Sequence, residues 1–316
     1  MAVNTIATAT LFQKNLDKAA AQQALTGWME GNAGQVIYNG GAEVKVPKLD
    51  MDGLANYDRN NGFTEGGITF EYETRKMTYD RGRSFSFDEL YVDETSFVVT
   101  AATVMGEFQR TKVVPEIDAT RIAGIATIAM GVTGDTQVEY GYAPAKATIV
   151  DKIKAGIQKI REAQFTGNLI CYVTYDVQAL VSQYYGEKLA AATFAVNGVD
   201  TRVPAIDGVP LVPIVSSCMY TKLQFNDGKT KGQEAGGYTK ATDGLNINFE
   251  IMAMEAPIAV QKTDNMRIFS PEVNQKARAW AMDYRKFHDI WVLDNKQKGL
   301  FVSIKDGKPS TTTTQG

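Results

Sequence analysis

The chain has 316 residues, 33 of them basic and 36 acidic, for a formal net charge of −3. That length allows about two domains and a sizeable core, and the balanced charge excludes an overall basic surface built to grip nucleic acid by its phosphates. Two cysteines, Cys171 and Cys218, lie too far apart in sequence to build a multi-thiolate metal site and fit a reduced chain without a structural disulfide.

The start, MAVNTIATATLF, has no basic region and no long apolar run, so it does not read as a secretory signal. No window approaches about 18 consecutive apolar residues, so no membrane-spanning helix is expected. Residues 1–35 are rich in Ala, Thr and Gln, with Leu11, Phe12, Leu16, Ala19 and Ala20 as one narrow apolar stripe ended by GWMEGNAG. The stripe is too thin to fold alone. It predicts an N-terminal arm that lies on another surface, a neighbouring subunit, with a partly disordered terminus as the alternative.

Over residues 36–90 the pattern changes to extended chain. EVKVPKLDM (43–51) alternates Val44, Val46 and Leu49 with charged residues, and ITFEYETRKMTYD (68–80) sets Ile68, Phe70, Tyr72 and Thr74 against Glu71, Glu73 and Arg75. The intervening GLANYDRNNGFTEGG is dense in turn-forming residues. This predicts a long hairpin with a wide tip, then a second extended run at 83–87. Both hairpin faces carry charge, and a lone hairpin is marginal in water, so a partner surface is implied.

The longest helical reading covers residues 93–130, inside a segment 91–145. Val98, Ala102, Met105 and Val113, then Ile117, Ile122, Ile125 and Ile128, recur at mostly three- and four-residue steps. Pro115 lacks an amide hydrogen and clashes with the preceding turn, which predicts a kink or a helix restart there. A rod of this length would measure about 50 Å, with two ordinary core helices as the alternative. Residues 146–262 then read as a compact α+β unit. It contains an amphipathic helix at 145–164, a buried strand LICYVTY (169–175), and a helix to Tyr185 capped by Asp176. GVPLVPIVS (208–216) follows as a strand that Pro210 and Pro213 place at an edge or bulge, then a polar Gly-rich loop and the strand LNINFEIMAM (245–254). Residues 263–305 end in a closing hairpin turned by DNKQKG, and the Thr-rich tail 306–316 offers nothing to pack.

Motifs for chemistry are sparse. His288, the single histidine, sits in KFHDIWV and reads as a packed structural imidazole; a dyad with Cys171 or Cys218 is the alternative, without a nucleophile context to support it. GKT at 228–230 resembles the end of a phosphate loop, but Leu223 stands where the first glycine belongs. Asp50, Asp52 and Asp58 with Asn56 lack the glutamate that closes an EF-hand, so the loop reads as a solvated tip and no metal site is expected. No catalytic residue, cofactor or enzyme activity is expected.

Several stretches together resemble the major capsid proteins of tailed bacteriophages, with the Hong Kong ninety-seven type coat fold. They are APIAVQKTDNMRIFSPEVNQ (256–275), DYRKFHDIWVLDNKQKGLFV (283–302), IDGVPLVPIVSSCMY (206–220), EFQRTKVVPEIDATRIA (107–123) and LDMDGLANYDRNNGF (49–63). Their order is more specific than any one of them. The resemblance implies an α+β phage coat-protein fold: N-terminal arm, extended β-hairpin loop, peripheral domain with a long spine helix completed by the final strands, and axial domain.

By the same resemblance the chain would be a major capsid protein, assembling as hexamers and pentamers into the icosahedral head of a tailed double-stranded DNA phage. An encapsulin-like compartment shell is the alternative. Its partners would be itself, the portal protein and a decoration protein, with scaffolding either supplied by a separate protein or not needed, because roughly 35 residues precede the hairpin. It would enclose DNA without sequence-specific binding, in the virion, after assembly in the bacterial host cytoplasm and without a membrane. Expected inter-subunit contacts are Tyr57, Arg59 and Phe63 at the loop tip and Arg75, Arg81 and Arg83 on the return strand.

Overall fold

The computed structural model describes residues 24–35, 37–38, 43–59, 62–88, 104–186, 191–196, 199–269, 272–274 and 279–309. The stripe between Leu11 and Ala20, the first turns of the long helix (93–103) and most of the tail lie outside these residues.

Residues Gly27–Gln35 form a 3₁₀ helix, after which β1 (Ile37–Tyr38), β2 (Glu43–Met51) and β3 (Ile68–Lys76) make a three-stranded antiparallel ribbon. β4 (Tyr79–Asp88) leaves the ribbon for another sheet. Residues 104–108 are α-helical, Gln109–Val113 form a π-turn, and α1 runs over Val114–Met130. The described rod, at 1.5 Å per residue, is about 40 Å long. Pro115 therefore neither ends nor restarts the helix. Its ring would strike the carbonyl one turn back, and the wider π-turn takes up the conflict: the Val114 amide donates to the Gln109 carbonyl, five residues back, with helical dihedrals at both ends of the turn.

β5 (Val138–Glu139), α2 (Ile149–Glu162), β6 (Leu169–Thr174), α3 (Tyr175–Tyr185), β7 (Ala191–Val196), β8 (Val199–Ile206) and β9 (Val209–Ile214) follow. The cap of α3 is Thr174, whose hydroxyl accepts from the Val177 amide, rather than Asp176, which sits in the first turn. After the small β10 (Leu223–Phe225) and β11 (Tyr238–Lys240) come β12 (Ile247–Ala253), β13 (Pro257–Phe269), β14 (Ala279–Val292) and β15 (Leu300–Ile304).

Two sheets organise the molecule. The larger has seven strands in the order β5-β15-β12-β6-β9-β8-β7, and the smaller has the order β13-β14-β4. Two expectations fail here. β9 sits inside the larger sheet despite Pro210 and Pro213; its ladder with β8 stops after two pairs, at Pro210, so the strand beyond needs fewer amide donors on that side. The closing hairpin is not a hairpin either. The turn at Asp294–Gly299 carries the chain from the small sheet to the large one, where β15 pairs with β12 and β5.

Close backbone packing fastens helices to both sheets. A Cβ on Gly124 of α1 would stand 2.4 Å from Ile290 Cγ2 on β14, and one on Gly156 of α2 would stand 2.7 Å from the Phe301 ring on β15. Only hydrogen at these positions lets the helices approach so closely. Residues 24–35, expected in the arm, are instead built into the subunit. Asp118 on α1 accepts from the Thr26 amide (3.0 Å), the Thr26 hydroxyl (2.6 Å) and the Leu25 amide (3.2 Å). Arg121 donates to the Thr26 carbonyl and to Glu30, while Tyr172 and Trp28 join the segment to β6. Met29 and Thr26 end up with no exposed surface.

Candidate functional site

The feature that the subunit does not bury is one face of the β2–β3 ribbon. Strand residues alternate sides, and the register pairs Leu49 with Phe70, Met51 with Ile68 and Pro47 with Tyr72. Leu49, Met51, Ile68, Phe70 and Tyr72 are all exposed, with Ile68 at 72% and Phe70 at 57%. Val44 and Val46 have the other parity and pack under the ribbon base with Met77, Ile258, Val260 and Trp291. The alternation thus splits Leu49 from the two valines with which its spacing had grouped it.

The ribbon base is held firmly. Asp289 on β14 accepts from the Thr78 amide (2.9 Å) and hydroxyl (2.7 Å) in the connection from β3 to β4. Burial raises the Asp289 carboxyl above its usual range, against the lowering effect of those bonds. Arg75 pairs with Glu73 and reaches Asp294 at 3.4 Å.

At the tip, Tyr57 and Phe63 pack edge to face with centroids 4.9 Å apart, and both are exposed together with Leu54. A bridge between Asp58 and Gly62 closes the turn, where Gly62 has a φ of 86°, and Asp52 accepts from the Gly67 amide at 2.7 Å. Arg59 is exposed beside this bridge.

Arg81 and Arg83 are placed differently. They lie on β4, away from the ribbon, and face the loop between β10 and β11. Arg81 pairs with Glu116 of α1 (2.7 Å) and donates to the carbonyls of Asn226 (2.9 Å) and Gly237 (3.0 Å). Arg83 donates to the Glu234 carbonyl at 3.1 Å. The structure brings Tyr57, Arg59 and Phe63 together, leaves Arg75 at the ribbon base, and gives Arg81 and Arg83 partners within the chain. Sequence reasoning expected a partner surface for the hairpin but did not list Leu49, Met51, Ile68, Phe70 and Tyr72 among its contacts, although the period of two on β3 was the signal for them.

Residues considered for catalysis do not converge. Cys171 is fully buried in β6, where burial pushes its thiol well above the usual range. Cys218 lies 3.2 Å from the Tyr238 hydroxyl and 3.5 Å from the Pro115 carbonyl, and burial raises its thiol too. Neither hydrogen-bonds to His288. The amides of Lys229 and Thr230 both donate to Asp227, which spends the GKT backbone internally. Among the described residues no three His, Cys, Asp or Glu side chains gather as a metal site, and no helix is long and apolar enough to cross a membrane.

Solved structures share this architecture. The mature capsid of bacteriophage PhiM1 is similar over 85% of this chain and 83% of its own, with a TM-score of 0.55 and 11% identity. This is a Hong Kong ninety-seven type coat fold. A structure of Mycobacterium phage Che8 carries the same coat fold over 92% of both chains (TM-score 0.51, 11% identity). A virus-like particle from Pyrococcus furiosus does so over 94% of this chain and 99% of its own (TM-score 0.50, 10% identity). No family model and no curated protein matches the sequence.

Proposed function

We propose that the chain is the major coat subunit of a tailed double-stranded DNA phage head, assembling as hexamers and pentamers into an icosahedral shell. The observation that carries this reading is the exposed apolar face of Leu49, Met51, Ile68, Phe70 and Tyr72 on a ribbon anchored at its base. A contiguous apolar surface of this kind marks an interaction site, and on a coat fold the partner is another copy, by closed symmetry. Tyr57, Arg59 and Phe63 at the tip and Arg75 at the base extend the contact. Arg81 and Arg83 contribute by fixing the β10–β11 loop. The role is structural, with DNA enclosed without sequence reading and with portal, scaffolding and decoration proteins as further partners in the virion.

The second reading is an encapsulin-like compartment shell; the likeness to the archaeal virus-like particle supports a shell in general and fits either reading. Electron microscopy of particles recovered from producing cells, with their contents assayed, separates the two. Closed shells holding nuclease-protected double-stranded DNA support the phage head, and closed shells holding a cargo protein support the compartment. A small soluble oligomer overturns both.

A further inference from the structure

Between the small sheet, the π-turn and the β10–β11 loop lies a cavity of about 940 Å³. It is separate from the ribbon face, and no function described above uses it. His288 on β14 is among its lining residues, only 3% exposed, with an Nδ1 that is buried and has no hydrogen-bond partner. The ring stacks on Tyr79 of β4, centroids 5.9 Å apart. Lys286 on its own strand, Arg121 on α1 and Arg81 on β4 bring positive charge to the imidazole. Burial first, and then these cations, hold it neutral, well below its usual range.

The mouth is cationic as well. Arg83, Lys112 and Lys240 line it, the two lysines exposed. Of the two acids in the wall, Glu116 is paired with Arg81 and Asp227 is occupied by the amides and hydroxyl of its own turn. Phe85, Phe108 and Tyr284 form an apolar side, and Tyr238 of β11 also lines it.

We propose that this cavity binds an oxyanion, a phosphate or a carboxylate group, which enters past Lys112 and Lys240 and comes to rest beside His288. The anion adds negative charge to a wall in which cations outnumber acids. It also offsets the surrounding cations, so the imidazole takes up a proton from solvent as the anion binds, and binding strengthens as pH falls.

The chain has one histidine, so a ¹⁵N-histidine label reports on this site alone. The full-length protein is titrated with inorganic pyrophosphate and, separately, with citrate while the imidazole resonance is followed by solid-state nuclear magnetic resonance at several pH values. Saturable movement of the resonance and a raised protonation midpoint are expected with at least one probe. Response to pyrophosphate alone assigns a phosphate ligand, and response to citrate alone assigns a carboxylate. The double variant Lys112→Ala/Lys240→Ala changes only exposed side chains and is expected to bind about tenfold more weakly, the loss of at least one charge-assisted hydrogen bond. A resonance that neither probe moves, or a double variant that binds as tightly as the parent, overturns the proposal.

Discussion

Glu250 is a buried carboxyl whose protonation can be tested directly. It sits at the middle of β12, the third strand of the seven, paired across to Tyr172 on β6 and Val302 on β15. It has no exposed surface, and neither carboxylate oxygen has a hydrogen-bond partner. Desolvation raises its carboxyl well above its ordinary 4.5, because the charged form finds neither water nor a cation there. The folded state therefore holds a proton that the unfolded state releases. Stability from this group is full below the unfolded value and falls as pH rises towards the folded one, by about 1.4 kcal/mol per pH unit. Glu250→Gln keeps the shape and removes the titration. Guanidinium unfolding of unassembled subunits from pH 4 to pH 9 should show the two proteins within about 1 kcal/mol of each other at pH 4. The glutamine variant should then gain steadily as pH rises. A difference that stays flat across this range, or a glutamine variant that loses stability towards alkaline pH, refutes the argument.

Two further substitutions probe the packing. Gly124→Val puts a branched side chain where even a Cβ would meet Ile290 at 2.4 Å, and calorimetry of the subunit should record a loss of about 1–3 kcal/mol; unchanged stability would mean that α1 and β14 are not so tightly apposed. Asp118→Ala removes three bonds to residues 25 and 26 and leaves Arg121 buried with less countercharge. It should cost about 3–5 kcal/mol and open residues 24–35 to limited proteolysis, whereas an equally resistant segment would show that the anchor lies elsewhere.

Much of the fold was legible because local patterns and global structure agree. The 149–162 helix carries Ile153, Ile157 and Ile160 on one stripe, all buried, and LICYVT is buried at every position. The hairpin was legible from its period and its turn-rich tip. What escaped depends on partners distant in sequence. Pro115 announces a broken amide ladder but not whether the helix ends or widens, and the π-turn upstream is the answer found. Asp118 and Arg121 look like the solvated side of a helix until residues 25, 26 and 30 are seen against them. β15 follows a turn motif that suits a hairpin, yet its strand is buried at every position and belongs to the larger sheet. At the candidate site, the apolar face of β3 could be read from the sequence, but its exposure could not, since the same period also describes a buried strand. Arg81 and Arg83 read as inter-subunit contacts on the return strand; the carbonyls that they meet come from a loop of the same chain some 150 residues later.

The central claim is that the exposed ribbon face joins one subunit to the next. Leu49→Asp/Phe70→Asp alters two side chains that are paired across the ribbon and already open to solvent, so the subunit's own stability should change by no more than about 0.5 kcal/mol per site. Sedimentation velocity of this variant beside the parent is the direct measurement. Particles of shell size for the parent and a folded, subunit-sized species for the variant are the predicted result; shells formed equally well by both would contradict the account.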